Sequence, residues 1–170
     1  LGVHTDGGMR EFITIPVNKL HKPDLLSLDQ LALVETLGIG AHAVDRANFN
    51  LGEFVLVIGA GPIGLTVTQF AKIAGGRIIV MDVNENRLDF CRQVFGVEFT
   101  VNAKENPVEQ LKAITSNDMP TVIFDATGSV KSMENAFSYV ASGGKLIFVG
   151  LVQDNITLYD PEFHRKEITL

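Results

Sequence analysis

The sequence predicts an α/β fold, a doubly wound parallel sheet in three layers with helices on both faces. Three observations carry that expectation. Short apolar runs alternate with helical patterns from residue 54 onward, the rhythm of parallel strands joined by crossover helices. The runs Phe54–Ile58, Ile78–Met81 and Val122–Phe124 are almost continuously apolar, as strands covered on both faces must be. The first run stops at a cluster of glycines that opens a helix, and such a junction is where a parallel sheet organises a ligand.

Taken in order, the chain begins at Leu1 rather than methionine, and Leu1 to Gly8 reads as the inside of a longer protein. Glu11 to Pro16 predicts a short strand stopped by proline. Beyond the loop from Asn18 to Asp24, either Pro23-Asp24 or Ser27 opens a helix, with Leu28, Leu31, Ala32 and Val34 facing a core. A second helix spans Thr36 to Ala47, and Asn50-Leu51-Gly52-Glu53 turns the chain into the first strand. The helix after the glycine cluster places Ile63, Val67, Phe70, Ala71 and Ala74 on one face. A strand from Arg77 to Asp82 and a helix from Glu85 to Phe95 follow; Leu88, Cys91 and Phe95 stand at helical spacing, and Gly96 ends the helix. Strands at Glu98 to Val101, Thr121 to Asp125 and Lys145 to Gly150 enclose two helices, one opened by Pro107 and one from Val130 to Val140. Ile156 to Leu158 and Glu167 to Leu170 predict two more short strands, with Lys166-Glu167 as solvated charge before the second.

The glycine cluster reads Gly59-Ala60-Gly61-Pro62-Ile63-Gly64. Gly59 makes the sharp exit from the strand, Gly61 lets a pyrophosphate approach the backbone, and Gly64 lets the helix pack against the sheet. Pro62 occupies a first-turn position, where its missing N–H costs nothing. The free N–H groups of that turn and the positive end of the helix dipole then face phosphate. Asp82 ends the second strand, at the spacing from which a carboxylate accepts hydrogen bonds from an adenosine ribose. The plain alternative is that Asp82 only caps the helix starting near Asn84-Glu85. Strand, glycine turn, helix, strand and acid together point to a dinucleotide, and to NAD rather than NADP, because Asp82 repels a 2′-phosphate. Val83 and Arg87 are further candidates for binding the cofactor, with Arg87 covering the adenine or pairing on the helix surface. Thr127-Gly128 and Val149-Gly150-Leu151 lie at two further strand ends, where their backbone groups would line the cleft or merely make turns.

Composition narrows the remaining classes. There are 20 Asp and Glu against 14 Lys and Arg, a net charge of -6, which argues against a nucleic-acid partner. No apolar run approaches the roughly 20 residues of a membrane span, and nothing resembles a signal peptide; a cytoplasmic protein is expected. Cys91 is the only cysteine, so a disulfide framework and a cysteine-based zinc site are excluded, and Cys91 is expected to be a small core residue. His42 stands seven residues after Glu35 on nearly the same helix face but about 10 Å along the axis, too far to share a metal. His4, His21 and His164 fall in loop-like stretches without ligand spacing.

Three segments occur in a telling order: Gly7-Gly8-Met9-Arg10-Glu11-Phe12, then Leu33-Val34-Glu35-Thr36-Leu37-Gly38-Ile39-Gly40-Ala41-His42-Ala43, then Val55 to Gly64. Together they resemble the medium-chain dehydrogenase/reductase superfamily, zinc-type alcohol dehydrogenases among them, over essentially the whole chain. The nearest likeness is to its zinc-dependent polyol, sugar-acid and threonine dehydrogenases. The resemblance implies a Rossmann domain at residues 35–170 and, at residues 1–34, the tail of a GroES-like catalytic domain with a linker helix. It implies a full-length enzyme that oxidises a secondary alcohol by hydride transfer to NAD, with zinc polarising the alcohol. Glu35 matches the position from which polyol-type members offer a carboxylate to zinc, directly or through water. Thr36 stands where those relatives usually have proline, and the upstream cysteine and His-Glu ligands have no counterpart in these residues. By that reading this chain alone binds cofactor, carries no catalytic residue, holds no zinc and turns over no alcohol. The family forms dimers or tetramers, and Asn155-Ile156-Thr157-Leu158 matches its pairing edge strand.

Two other readings share the glycine turn. A zinc-independent quinone- or enoyl-reductase relative would use NADPH and lack the acid at the end of the second strand. A non-enzymatic nucleotide-binding regulatory module would not be expected to carry Gly7 to Phe12 and Glu35 upstream. A methyltransferase is more distant, since its loop does not need the proline-opened helix. The substrate itself is set by the catalytic domain and is not legible here.

Overall fold

A computed structural model describes residues 2–170; Leu1, and the expectation attached to it, lie outside the described residues. The chain divides into two compact units, Leu1–Ala32 and Leu33–Leu170.

In the first unit the expected strand at residues 11–16 is absent: the backbone there joins no ladder, and an extended segment without a hydrogen-bonded neighbour is not a strand. A 3-10 turn at Val17–Lys19 follows. Helix α1, Leu28–Ala32, is opened by Ser27, one of the two expected starts, but Leu28, Ala32 and Val34 are exposed rather than core-facing. The Gln30 N–H donates to Ser27 Oγ at 3.2 Å, and the Ser27 N–H donates to Gln30 Oε1 at 2.9 Å, a reciprocal capping box.

The second unit starts with α2, Val34–Ala47. Strand β1 (Phe54–Ile58), helix α3 (Pro62–Ile73), β2 (Arg77–Asp82), α4 (Glu85–Phe95), β3 (Phe99–Asn102), α5 (Pro107–Ile114), β4 (Val122–Asp125), α6 (Val130–Tyr139), β5 (Lys145–Phe148) and α7 (Asp160–Arg165) complete it. The five strands form one sheet in the order β3-β2-β1-β4-β5, and every strand pairing is parallel. The doubly wound expectation therefore holds.

Alternation along the strands divides the core in two. Val55, Val57, Val80, Val122 and Phe124 pack with Val44, Val67, Ala71, Leu88 and Cys91 of α2, α3 and α4. Leu56, Ile58, Ile79, Met81 and Ile123 pack on the opposite face with Leu111 of α5 and Ala136 and Tyr139 of α6. Cys91 is a core residue, and burial, then the Asp82 charge, push its thiol pKa up. On α3 the buried residues are Gly64, Thr66, Val67, Thr68 and Ala71; Ala74 lies past the helix and is exposed.

The C-terminal segment departs from expectation. Ile156 to Leu158 forms no ladder within the chain. Instead the Thr157 N–H donates to Glu134 Oε1 at 3.0 Å, so its backbone serves a side chain of α6. Glu167 to Leu170 shrinks to one parallel bridge, Lys145 with Thr169; Glu167 sits at φ 51°, which extended strands do not adopt. Helix α7 was not foreseen. Its first turn holds Asp160, Pro161 and Glu162, an acid- and proline-led start, and it takes His164 out of the loop to which the sequence assigns it. Lys166 is not solvated charge either. Its ammonium donates to the carbonyls of Phe137, Ser138 and Val140 at 3.2, 3.4 and 3.0 Å, closing the end of α6, and burial lowers its pKa.

Candidate cofactor site

Strand order reverses between β1 and β4, because the chain winds through β2 and β3 on one side and β5 on the other. Loops leaving the carboxyl ends of two such strands part to opposite faces and open a crevice. A cleft of about 790 Å³ lies there, its walls including Gly59, Gly61, Pro62, Asp82, Arg87 and Thr127.

The floor is the glycine turn. Gly59 adopts φ 96°, a conformation that L side chains rarely take, while its N–H stays in register by donating to the Met81 carbonyl at 2.7 Å. A Cβ on Gly64 would stand 1.7 Å from the Gly59 carbonyl oxygen, so helix and turn touch as closely as the sequence requires. Around Gly61, by contrast, a Cβ would meet nothing within 4 Å; that position opens onto the cleft. Pro62 lies in the first turn of α3. No side chain caps α3, so its leading N–H groups have no side-chain acceptor to compete with a ligand.

Asp82 forms the second wall. Its side chain is 4% exposed. One oxygen accepts from the Ala60 N–H inside the glycine turn at 2.7 Å, the other from the Asn84 N–H at 2.8 Å. Each carboxylate oxygen has room for a further donor, so Asp82 braces the turn and still offers acceptor sites. It does not cap α4: Asn84 does that, accepting from the Asn86 N–H. Arg87 stands with Nη1 3.7 Å from Asp82 Oδ2. Of the two roles foreseen for Arg87, the geometry shows pairing, directed at Asp82.

Other foreseen residues divide clearly. Val83 and Thr127 join the lining with the turn and Asp82; Ile63, Gly64, Gly128, Val149, Gly150 and Leu151 are not among the lining residues. Gly128 and Gly150 instead pack against each other, an ideal Cβ on Gly150 falling 2.7 Å from the Gly128 nitrogen. The sequence did not signal Lys104, Ser132 or Tyr139, which also face the cleft. Ser132 and Tyr139 lie seven residues apart on α6, a spacing that could have suggested a shared face. Burial pushes the Tyr139 phenol pKa up.

Glu35 lies elsewhere, exposed in the first turn of α2. Thr36, where proline was the usual residue, donates its hydroxyl to the Leu33 carbonyl at 2.8 Å. Among the described residues no three His, Cys, Asp or Glu side chains converge as a metal site. No helix of the described residues is long and apolar enough to cross a membrane.

An open parallel sheet, a glycine turn against a helix start and a carboxylate closing the neighbouring strand define a nucleotide-binding domain of the Rossmann class. The chain belongs to the zinc-binding dehydrogenase family, whose model matches residues 62–170. It is 36% identical to L-galactonate-5-dehydrogenase of Escherichia coli strain K12, over all of this chain and 50% of that protein. With sorbitol dehydrogenase of Rattus norvegicus it shares 34% identity over 90% of this chain and 44% of that one. An alcohol dehydrogenase of Escherichia coli CFT073, solved with NADH, superposes with a TM-score of 0.88 at 26% identity, covering 99% of this chain and 50% of that one. The chain thus spans about half the length of the relatives it matches.

Proposed function

We propose that residues 35–170 are the cofactor-binding domain of a zinc-dependent, NAD-linked dehydrogenase, and that residues 1–34 are the end of its catalytic domain with a linker. The observation that carries the reading is the junction of Gly59 to Gly64 with Asp82, whose carboxylate is hydrogen-bonded into the glycine turn. In this reading the pyrophosphate lies over Gly61, Pro62 and the start of α3, with Ile63 and Gly64 holding the helix in place. The adenosine ribose faces Asp82, with Val83, Arg87 and Thr127 beside it. Gly128, Val149, Gly150 and Leu151 border the nicotinamide side through their backbone.

NAD bound there would supply the hydride acceptor, and this chain would bind it, orient it and exclude the phosphorylated form. Asp82 places a negative charge where NADP carries its 2′-phosphate, and Arg87 spends part of its charge on Asp82 rather than on a ligand. In the full-length enzyme Glu35 would join ligands from elsewhere at zinc, and a secondary alcohol, a polyol or sugar acid before threonine, would be the substrate. The names of the relatives support that class. A cytoplasmic dimer or tetramer, paired through Asn155 to Leu158, completes the reading; sedimentation showing only monomer at high concentration would count against it.

The NADPH-dependent reductase reading draws on one observation: Arg87, Lys104 and Lys131 line the cleft while Asp82 is its single carboxylate. Calorimetric titration of the chain with NADH and NADPH separates the two. Tighter NADH binding is expected; a preference for NADPH would remove Asp82 from its assigned role. The chain has no tryptophan, which makes heat a better signal than energy transfer to the reduced nicotinamide.

A further inference from the structure

Asp125 is fully buried at the carboxyl end of β4, and nothing in the cofactor reading uses it. Its neighbours form a closed circuit. Oδ1 accepts from the Thr127 N–H at 2.9 Å and from the Thr127 hydroxyl at 2.7 Å, and Oδ2 accepts from the Ser132 hydroxyl at 2.6 Å. Thr127 Oγ1 in turn accepts from the Ser129 N–H at 3.1 Å, and Ser129 Oγ accepts from the Ser132 N–H at 3.4 Å. Asp125, Thr127, Ser129 and Ser132 are thereby tied in a ring around the turn that joins β4 to α6.

That turn and the start of α6 form a wall of the cleft, through Ala126, Thr127 and Ser129 of the turn and Ser132 of the helix. Gly128 at its apex adopts φ 64°, and Gly150 backs it so closely that no side chain fits between them. The Asp125 main-chain oxygen meanwhile receives the Val149 and Gly150 N–H groups at 2.9 and 3.0 Å. One residue therefore holds the turn through its side chain and the end of β5 through its backbone. An enclosed carboxylate is tolerated only where donors surround it, and here three donors from this turn and α6 do so.

We propose that Asp125 is a positioning residue of the nucleotide site. It fixes the turn Ala126 to Ser129 before the ligand arrives, so that binding spends no affinity on ordering it. The proposal rests on the cleft being the NAD site. It concerns a residue that touches the ligand only through Thr127, Ser129 and Ser132.

Three variants test it: Asp125→Leu, which removes both acceptors, Asp125→Asn, which keeps one, and Ser132→Ala, which opens the ring at α6. A fourth, Gly75→Ala, strains a turn at the amino end of the sheet, where φ is 84°, and serves as the control for destabilisation alone. NADH affinity is measured by calorimetry, melting temperature by circular dichroism, and amide exchange at Thr127, Ser129 and β1 by NMR. Asp125→Leu is expected to weaken NADH roughly ten-fold or more and to speed exchange at Thr127 and Ser129 while β1 stays protected. Asp125→Asn should fall between it and wild type, and Gly75→Ala should bind NADH as wild type does. Wild-type affinity in folded Asp125→Leu would overturn the proposal, as would an affinity loss in Gly75→Ala matching its loss of stability. If Asp125→Leu does not fold, Asp125→Asn and Ser132→Ala decide by the same readings. A wild-type chain that takes up no NADH would instead overturn the cofactor reading beneath the proposal.

Discussion

The two ends of the sheet use the same chemistry for different purposes. At the carboxyl end, Asp82 and Asp125 accept backbone N–H groups from turns that border an open cleft. At the amino end, Glu53 accepts from the Asn50 N–H and side-chain amide at 2.7 and 2.8 Å and from the Thr121 hydroxyl at 2.6 Å, joining the entries to β1 and β4. Lys145 completes that end, donating to the Ala47 and Asn48 carbonyls at 2.8 and 2.7 Å as a cap on α2. The difference lies in what the loops leave behind. Where strand order reverses, the carboxyl-end loops diverge and the turns that Asp82 and Asp125 hold border a ligand-sized space; at the amino end the same bonds only close the fold.

Glycine substitutions sharpen that contrast most. Gly64→Ala would drive a methyl into the Gly59 carbonyl, backbone against backbone, and is expected to cost about 3 kcal/mol in denaturant unfolding and to abolish NADH binding. Gly75→Ala, at the amino end, is strained by φ 84° and meets the flexible end of Leu51. About 1 kcal/mol of destabilisation with unchanged NADH affinity is expected there. Equal effects of both on affinity would break the comparison.

Asp82→Ala ranks next. It strips an acceptor from the Ala60 N–H within the glycine turn as well as from the ribose, so NADH should weaken roughly ten- to one-hundred-fold in calorimetry, without a gain in NADPH binding equal to that loss. A clean exchange of preference with undiminished affinity would show that Asp82 only discriminates between cofactors and does not brace the turn.

The smallest effect belongs to Glu53. Burial pushes its carboxyl up, but hydrogen bonds from Thr121 and Asn50 and the nearby Lys145 charge outweigh that and hold it below its ordinary value of 4.5. The folded chain then binds this proton less readily than the unfolded one. Stabilisation is complete above about 4.5 and disappears as pH falls through the lower folded value. Glu53→Gln should flatten that acid limb in thermal melts and leave NADH affinity at neutral pH unchanged. An altered affinity would mean that the amino end communicates with the cleft.

The legible parts of the sequence were those governed by local rules. Strands buried on both faces announce themselves as apolar runs, and Gly59, Gly61, Gly64 and Asp82 stand at spacings fixed by a turn, a close approach and a strand end. Asp125 also ends a strand, but its partners Thr127 and Ser132 are ordinary polar residues until the turn folds them inward. Lys166 looked solvated because its acceptors, the last carbonyls of α6, come from residues 137–140. The strand expected at residues 11–16 failed for the complementary reason: its pattern was right, but pairing needs a neighbour that a pattern does not supply.

The most direct test is an amide chemical-shift map of the chain titrated with NADH. The expected result is a continuous set of perturbed resonances at Ala60, Gly61, Ile63, Val83, Thr127 and Ser129, with Gly52, Gly75 and Thr121 unmoved. Perturbation centred on the amino end, or none at saturating NADH, would contradict the assignment of the carboxyl-end cleft as the cofactor site.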